Sequence, residues 1–230
     1  MTYLYLLIIL ISFSVPFAYS FEKKMNFIQY WKIVFLSLVV VAVPFIIWDV
    51  IFTQKGVWGF NALYYLGITI FGLPFEEILF FICIPYASIF THYAFIYFFK
   101  NTQLSNKITR GITILLLVIS VIVLFYEFPK AYTTVNFSLF TLLMLYALIV
   151  KDSILNRFYI TFLLILIPFF IVNGLLTGSF ILEEVVWYNN AENLGIRLGS
   201  VPVEDVFYAF SMLYMSLILI EKFKVKLVSK

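Results

Sequence analysis

The sequence predicts an all-α integral membrane protein of about seven transmembrane helices, and three observations predict it. Of the 230 residues, 64% are hydrophobic and only 12% are charged, which is typical of a chain embedded in a bilayer. Apolar stretches recur at about the 20 residues that an α-helix needs to cross the hydrocarbon core. Finally, the chain repeats itself, with three predicted helices, one connecting helix and three more helices.

The predicted spans share a high apolar content and cover residues 2–19, 31–50, 72–99, 111–128, 137–150, 158–177 and 201–220. No Lys or Arg precedes the first stretch and no small-residue cleavage pattern follows it, so it is expected to remain as a helix rather than act as a signal peptide. The third span is long and the fifth is short. The repeat predicts a first domain at 1–105, a linker helix at 106–130 and a second domain at 131–230.

Charge placement predicts the orientation in the membrane. If the spans alternate in direction, twelve of the fifteen basic residues lie on one side, and only Lys55, Lys130 and Arg197 lie on the other. The positive-inside rule then puts the C-terminus in the cytoplasm and the N-terminus outside. We expect a multi-pass protein of the cell inner membrane whose tail, with Lys222, Lys224 and Lys226, contacts anionic lipid. No basic stripe indicates nucleic-acid binding.

A short acidic motif occurs twice, each time at the start of an apolar helix. The copies run Leu73-Pro74-Phe75-Glu76-Glu77 and Val201-Pro202-Val203-Glu204-Asp205. A first helical turn favours acidic side chains because its backbone N–H groups are free and the helix dipole is positive there, so a single copy could be an ordinary helix start. Carboxyl groups in a membrane domain are costly and are functional candidates, and the duplication favours function.

The repeat extends beyond the acidic pairs. The two copies of the motif can be aligned without a gap. Between residues 61 and 77, six positions are then identical: Asn61, Leu66, Gly67, Ile68, Pro74 and Glu76 recur as Asn189, Leu194, Gly195, Ile196, Pro202 and Glu204. Upstream, after a short gap, Asp49 is matched by Asn173, and each ends the second helix of its half. Parallel repeats of this kind usually face each other around a central site.

Aromatic residues accompany the acids. Four residues along a helix return to the same face, which stacks Glu76 over Phe80 and Glu204 over Tyr208. A carboxylic acid in an apolar slot can act as a proton donor, and the face of an aromatic ring can stabilise a cation. This arrangement suits a rearrangement of a hydrocarbon that begins with protonation. With 28 Phe and 16 Tyr in the chain, aromatic neighbours are also expected by chance.

With its duplicated Pro-x-Glu-(Glu/Asp) motif, its Asp49 and Asn173 helix ends and its tandem three-helix halves, the chain resembles the membrane lycopene cyclases of the two-domain type, in a fused form. The resemblance implies cyclisation of the ψ ends of lycopene to β-rings, giving γ-carotene and then β-carotene, as an isomerisation without redox change. It implies a carotenoid taken laterally from the lipid, and no cofactor. It leaves the oligomeric state open, a homo-oligomer included.

On that resemblance, Glu76 and Glu204 are expected as the principal acids or cation stabilisers, with Glu77 and Asp205 as coupled partners. Substrate-binding residues are expected at Asp49, Asn173, Pro74, Pro202, Phe80 and Tyr208. The differences between the halves suggest one shared active site instead of two.

Two alternatives stay open: a cyclase or hydratase acting on another carotenoid, and a small seven-helix transporter with membrane carboxylates for proton coupling. The sequence contains neither a dinucleotide-binding glycine motif nor a P-loop, and no Asp-rich magnesium motif. Its single histidine, His92, is expected to be a hydrogen-bonded interior residue, so no metal site is predicted.

Overall fold

The structure, a computed structural model, describes residues 2–228 of the chain, with side chains as far as residue 224. Within this range the chain forms seven α-helices: α1 (Leu4–Tyr19), α2 (Trp31–Gln54), α3 (Phe75–Phe98), α4 (Asn106–Glu127), α5 (Ala131–Val150), α6 (Leu155–Leu176) and α7 (Val203–Val228). A short 3-10 turn at Phe27–Tyr30 leads into α2. The Lys226 side chain, predicted to contact lipid, lies outside the described side chains.

The predicted all-α membrane class is confirmed. Helices α2 to α7 are each long and apolar enough to cross a bilayer. Helix α1 is apolar but has only 16 residues, so at about 1.5 Å per residue it spans roughly 24 Å, somewhat less than the hydrocarbon core.

Helix ends differ from the predicted spans wherever polar residues enter a helix. Helix α5 begins at Ala131 rather than 137, because Tyr132, Thr133 and Asn136 are buried against other helices and need no apolar character. Helix α4 begins at Asn106 rather than 111, and the Ser105 side chain caps it by accepting a hydrogen bond from the Ile108 amide. Spans predicted from apolar content alone do not include these polar residues, so the predicted helices start too late.

Six short strands, which the sequence did not predict, form three antiparallel pairs: β1 (Trp58–Phe60) with β4 (Val186–Tyr188), β2 (Thr69–Ile70) with β3 (Leu73–Pro74), and β5 (Arg197–Leu198) with β6 (Val201–Pro202). The β2–β3 and β5–β6 hairpins lead directly into α3 and α7, so these helices begin at Phe75 and Val203 rather than at residues 72 and 201. We call the end of the bundle that carries all six strands the hairpin end.

The two halves are related by an approximate twofold rotation. Helix α2 packs against α7, and its counterpart α6 packs against α3. The loops exchange equivalent hydrogen bonds: the Asn61 amide donates to the Val185 carbonyl at 2.9 Å, and the Asn189 amide donates to the Val57 carbonyl at 2.9 Å. The two asparagines are counterparts in the repeat, and so are the two valines, so the axis passes between the halves. Helix α4 packs mainly against α5, at the edge of the bundle.

Candidate functional site

The first acid of each pair holds the loop that precedes its own hairpin. Oε1 of Glu76 accepts a hydrogen bond from the Leu66 amide at 2.8 Å, and Oε1 of Glu204 accepts one from the Leu194 amide at 2.6 Å. Thr133 Oγ1 on α5 also donates to Oε1 of Glu204, at 2.8 Å. Both acids are fully buried, and they anchor the backbone just ahead of helices α3 and α7.

The second acid of each pair, Glu77 or Asp205, lines a cavity of about 220 Å³ between the helices. The hydroxyl of Tyr5 on α1 donates a hydrogen bond to Oε2 of Glu77. At the equivalent place in the other half, the hydroxyl of Tyr132 on α5 donates to Oδ1 of Asp205 at 2.5 Å. Neighbouring residues in a helix point about 100° apart, which explains why adjacent acids have different surroundings.

Asp205 has a second phenolic partner. The hydroxyl of Tyr188, in strand β4, donates to Oδ2 of Asp205 at 3.0 Å. Burial raises the pKa of the Tyr188 hydroxyl well above its ordinary value, and the negative charge of Asp205 raises it further. Tyr188 therefore stays protonated and acts toward Asp205 only as a hydrogen-bond donor.

Asp49, in the C-terminal part of α2, brings a third carboxyl group to the cavity. Its Oδ1 accepts hydrogen bonds from Trp58 Nε1 at 2.5 Å and from Thr53 Oγ1 at 3.3 Å. Its Oδ2 is buried and finds no hydrogen-bond partner among the described residues. An unpartnered buried oxygen of this kind is unusual, and Asp49 is the one cavity-lining carboxyl group of the described residues that has one.

Asn173, the counterpart of Asp49, also lines the cavity. Its Nδ2 donates to the Phe169 carbonyl, four residues earlier in α6, at 3.1 Å. Val186 stands at the position equivalent to Trp58, so no indole is available to hold this side chain. The two halves therefore differ at this end of the cavity, where one has a carboxyl group and the other an amide.

The remaining surface of the cavity is mainly apolar and aromatic. Phe80, Phe81, Trp58, Tyr132 and Tyr208 line it beside the acids. The lining continues along α3 from Glu77 to Thr91, which corresponds to about 21 Å at the helical rise. Pro168 on α6 lines the cavity and is also exposed on the bundle surface. The space is thus a narrow apolar slot with carboxyl groups at the hairpin end.

The structure brings together six of the ten residues predicted for the site: Glu77, Asp205, Asp49, Asn173, Phe80 and Tyr208 all line the cavity. Glu76, Glu204, Pro74 and Pro202 are buried but are not among the lining residues. Each proline instead ends a hairpin and immediately precedes its helix.

Sequence reasoning missed the aromatic donors Tyr5, Trp58, Tyr132 and Tyr188. Tyr5 and Tyr132 each lie in the first turn of the first helix of their half. The fifth predicted span starts at residue 137, so Tyr132 would have been found by extending the internal alignment upstream of that span. Trp58 and Tyr188 lie in loops between the predicted spans, and no sequence signal marked them.

His92 is buried, and its Nδ1 shares a hydrogen bond with Thr161 Oγ1 at 2.7 Å, as expected of an interior histidine. The described residues contain no group of three His, Cys, Asp or Glu side chains arranged to hold a metal ion.

Fold and site together define a multi-pass membrane protein with an internal repeat and a carboxyl-lined apolar cavity shared by its two halves. The lycopene cyclase family model matches residues 2–95 and again residues 129–223. These two matches cover most of the chain, which therefore belongs to the lycopene cyclase family, in carotenoid biosynthesis. No curated protein and no solved structure gave a match.

Proposed function

We propose that this chain is a lycopene β-cyclase, which converts the ψ ends of lycopene to β-rings and gives γ-carotene and then β-carotene. The observation that carries the proposal is the meeting of three carboxyl groups, Asp49, Glu77 and Asp205, at one end of an apolar slot. The lining suits a polyene in its chemistry, because the chain of a polyene needs apolar contacts and its reactive end needs an acid.

The reaction balances without a redox partner. A carboxylic acid donates its proton to the terminal double bond, which leaves a tertiary cation. The neighbouring C5–C6 double bond attacks this cation and closes the ring. Loss of the C6 proton to a carboxylate then forms the ring double bond. One proton enters and one leaves, so the product is an isomer of the substrate.

The positions of the side chains support Glu77, Asp205 and Asp49 as the groups that exchange these protons. Tyr5 holds Glu77, and Tyr132 and Tyr188 hold Asp205, so each carboxyl group is fixed in orientation before substrate arrives. Asp49 Oδ2 has no described partner and is free to accept a proton. Carboxyl groups that interact this closely exchange protons as a set, so no single one of the three is assigned as the first proton donor.

In this proposal Glu76 and Glu204 are supporting residues, although the sequence analysis expected them to be the principal acids or cation stabilisers. Each accepts hydrogen bonds through Oε1, from backbone or Thr133. The Oε2 atom of each has no described partner, but neither residue lines the cavity. They fix the loops and thereby the first turns of α3 and α7, which carry Glu77 and Asp205.

The aromatic rings supply the cation with negative π-faces. Tyr208 lines the cavity, and its ring centroid lies 4.9 Å from that of Trp48 and 5.0 Å from that of Phe45. Such packing holds the ring in place, so that it need not reorganise when charge develops beside it.

We further propose that the protein lies in the cell inner membrane with the N-terminus outside and the C-terminus in the cytoplasm, as the distribution of basic residues favours. The hairpin end then faces outward. Residues 1–105 and 131–230 act as paired repeats, and 106–130 links them. The carotenoid reaches the slot from surrounding lipid near the exposed Pro168.

Pigment analysis of lycopene-accumulating bacterial cells tests the proposal. The wild-type chain, expressed alone, should yield γ- and β-carotene, and the double variant Glu77→Gln, Asp205→Asn should leave lycopene unchanged at equal membrane expression. Glu127→Gln is the matched control, because Glu127 lies at the end of α4 in a surface pair with Lys130.

Lycopene left unchanged by the wild type, at confirmed membrane expression, would refute the proposal. A product heavier by one water would indicate a hydratase, because water would then have captured the same cation. Full activity of the double variant would show that other groups supply the proton.

A further inference from the structure

The cavity breaks the twofold symmetry of the bundle. Close to the axis, both members of several equivalent pairs line it, among them Tyr5 with Tyr132 and Glu77 with Asp205. Deeper in the membrane its lining comes from α1, α3 and α6, with Ala209, Met212 and Leu213 of α7 along one side, and we call this part the open slot. Among the described residues, α2 and α5 contribute to the lining through Asp49 and Tyr132, both near the hairpin end. The equivalent space between α5, α7 and α2 is the filled slot.

Equivalent residues show where the symmetry fails. Ser12, Ser88 and Val172 line the cavity in the open slot. Their counterparts Leu139, Ser216 and Trp48 in the filled slot do not line it. Ser216 is fully buried, and its hydroxyl donates to the Met212 carbonyl within the same helix at 2.8 Å.

Trp48 takes up space in the filled slot, as does Leu139, and both pack in one apolar cluster. Trp48 stands where the open slot has Val172, and its indole packs against Tyr208 and against Phe45, with ring centroids 4.9 Å and 5.7 Å apart. Phe45 is only 2% exposed. The Trp48 indole is larger than the isopropyl group of Val172. It occupies space in the filled slot that, in the open slot, is left for the substrate chain.

We infer that the protein has a single substrate slot, cyclises one end of lycopene at a time, and releases the monocyclic product before the second end can react. The inference rests on the proposed function. All three cavity carboxyl groups lie at one end of the open slot, and a conjugated polyene is too stiff to fold both of its ends to the same place. The second end reaches the acids only after the molecule has left and turned end for end in the lipid.

A time course with purified enzyme in lipid vesicles, with lycopene in large excess over enzyme, tests the release. The single-slot enzyme should first accumulate the monocyclic product. The bicyclic product should appear after a lag, once released monocycle competes with lycopene for the slot. Adding unlabelled monocyclic product to labelled lycopene should dilute the label in the bicyclic product.

Bicyclic product formed from the first turnovers, with no lag and no dilution of label, would overturn the inference and leave the cyclase function standing. If the wild type forms neither product, the proposed function fails and the inference fails with it.

A tryptophan placed in the open slot tests the number of slots. Val172→Trp introduces there the side chain that takes up space in the filled slot, and should lower the cyclisation rate by about tenfold or more, because overpacking blocks the substrate. An enzyme with two working slots would keep about half of its rate, since independent sites contribute additively.

The matched control is Ile171→Trp, one residue earlier in α6. Ile171 is 61% exposed and faces away from the bundle, so this change adds the same side chain toward lipid and should keep the wild-type rate. Equal membrane yield and the same elution profile for both variants exclude misfolding as the cause of a loss. Retention of half or more of the rate by Val172→Trp would overturn the single slot.

Discussion

Gly59 and Trp187 face each other at the centre of the β1–β4 pair, and each is the counterpart of the other in the internal repeat. The twofold axis therefore passes between them. A Cβ atom added to Gly59 would lie 2.6 Å from Cε2 of the Trp187 indole, much closer than carbon atoms approach. The ring of one half thus lies over the bare backbone of the other, and a side chain at position 59 would have to displace it.

Replacing Gly59 by alanine is expected to destabilise the protein by about 1–3 kcal/mol, because the new methyl group displaces the indole from the strand pair. The apparent midpoint of thermal unfolding in detergent measures the change. Gly111→Ala is the control, since no atom lies within 4 Å of a Cβ there and alanine favours a helix.

The double variant Gly59→Ala, Trp187→Ala should unfold at a higher temperature than the sum of the two single losses implies. Strict additivity would show that the two residues do not interact.

Removing the hydroxyl of Tyr5 should impair catalysis more than removing that of Tyr188. Tyr5 is the one described side chain that donates a hydrogen bond to Glu77, whereas Asp205 keeps the donor Tyr132 when Tyr188 is changed. We expect Tyr5→Phe to lower kcat about tenfold and Tyr188→Phe about threefold, as losing one such hydrogen bond implies. Initial rates in vesicles at equal enzyme content give both values, and the reverse order would contradict the assignment.

Trp58→Phe should lower kcat/KM roughly tenfold, because Asp49 loses its 2.5 Å hydrogen bond and keeps only the longer one from Thr53. The aromatic ring stays, so that packing changes little. Trp31→Phe, at an exposed position at the start of α2, is the control and should keep full activity. If Trp58→Phe were fully active, Asp49 would not depend on the indole.

Substituting the second acid of each pair should lower activity more than substituting the first. Glu76→Gln and Glu204→Gln keep an oxygen that can accept the Leu66 or Leu194 amide, so they should retain a measurable fraction of activity. Glu77→Gln and Asp205→Asn should each lower kcat by about 100-fold or more, because proton transfer by a positioned group contributes at least that much. Pigment ratios at matched expression compare the four variants, and the opposite ranking would restore the first acids as proton donors.

Thr133→Val tests the anchoring of Glu204 without touching the cavity. It removes the 2.8 Å hydrogen bond from Thr133 Oγ1 while keeping the shape of the side chain. We expect a loss of about 1 kcal/mol in stability, the size measured for hydrogen bonds between membrane helices, and an unchanged rate per folded molecule. A specific loss of rate with normal stability would instead place Thr133 in the catalytic step.

Much of the fold followed from the pattern of residues. The apolar spans predicted seven helices because a helix buried in lipid must be apolar over a fixed length, and the recurrence of Asn61 through Glu76 as Asn189 through Glu204 marked the repeat. The pattern did not predict the hairpins, since two-residue strands such as Thr69–Ile70 are too short to show an alternation of apolar and polar side chains. Nor did it predict the start of α5, where polar residues are buried by partners far away in the chain.

The sequence by itself determined that acidic pairs begin α3 and α7, because adjacent carboxyl groups after a proline can be read directly and a first helical turn accommodates them. Only the tertiary structure decided which acid of each pair faces the cavity. Neighbouring side chains diverge by about 100° around a helix, and the rotation of α3 and α7 is fixed by their packing against α1, α2, α5 and α6. The same packing decided that Trp48 takes up space in one slot while Val172 leaves its equivalent open, since the volume available to a side chain depends on neighbours that are distant in the sequence.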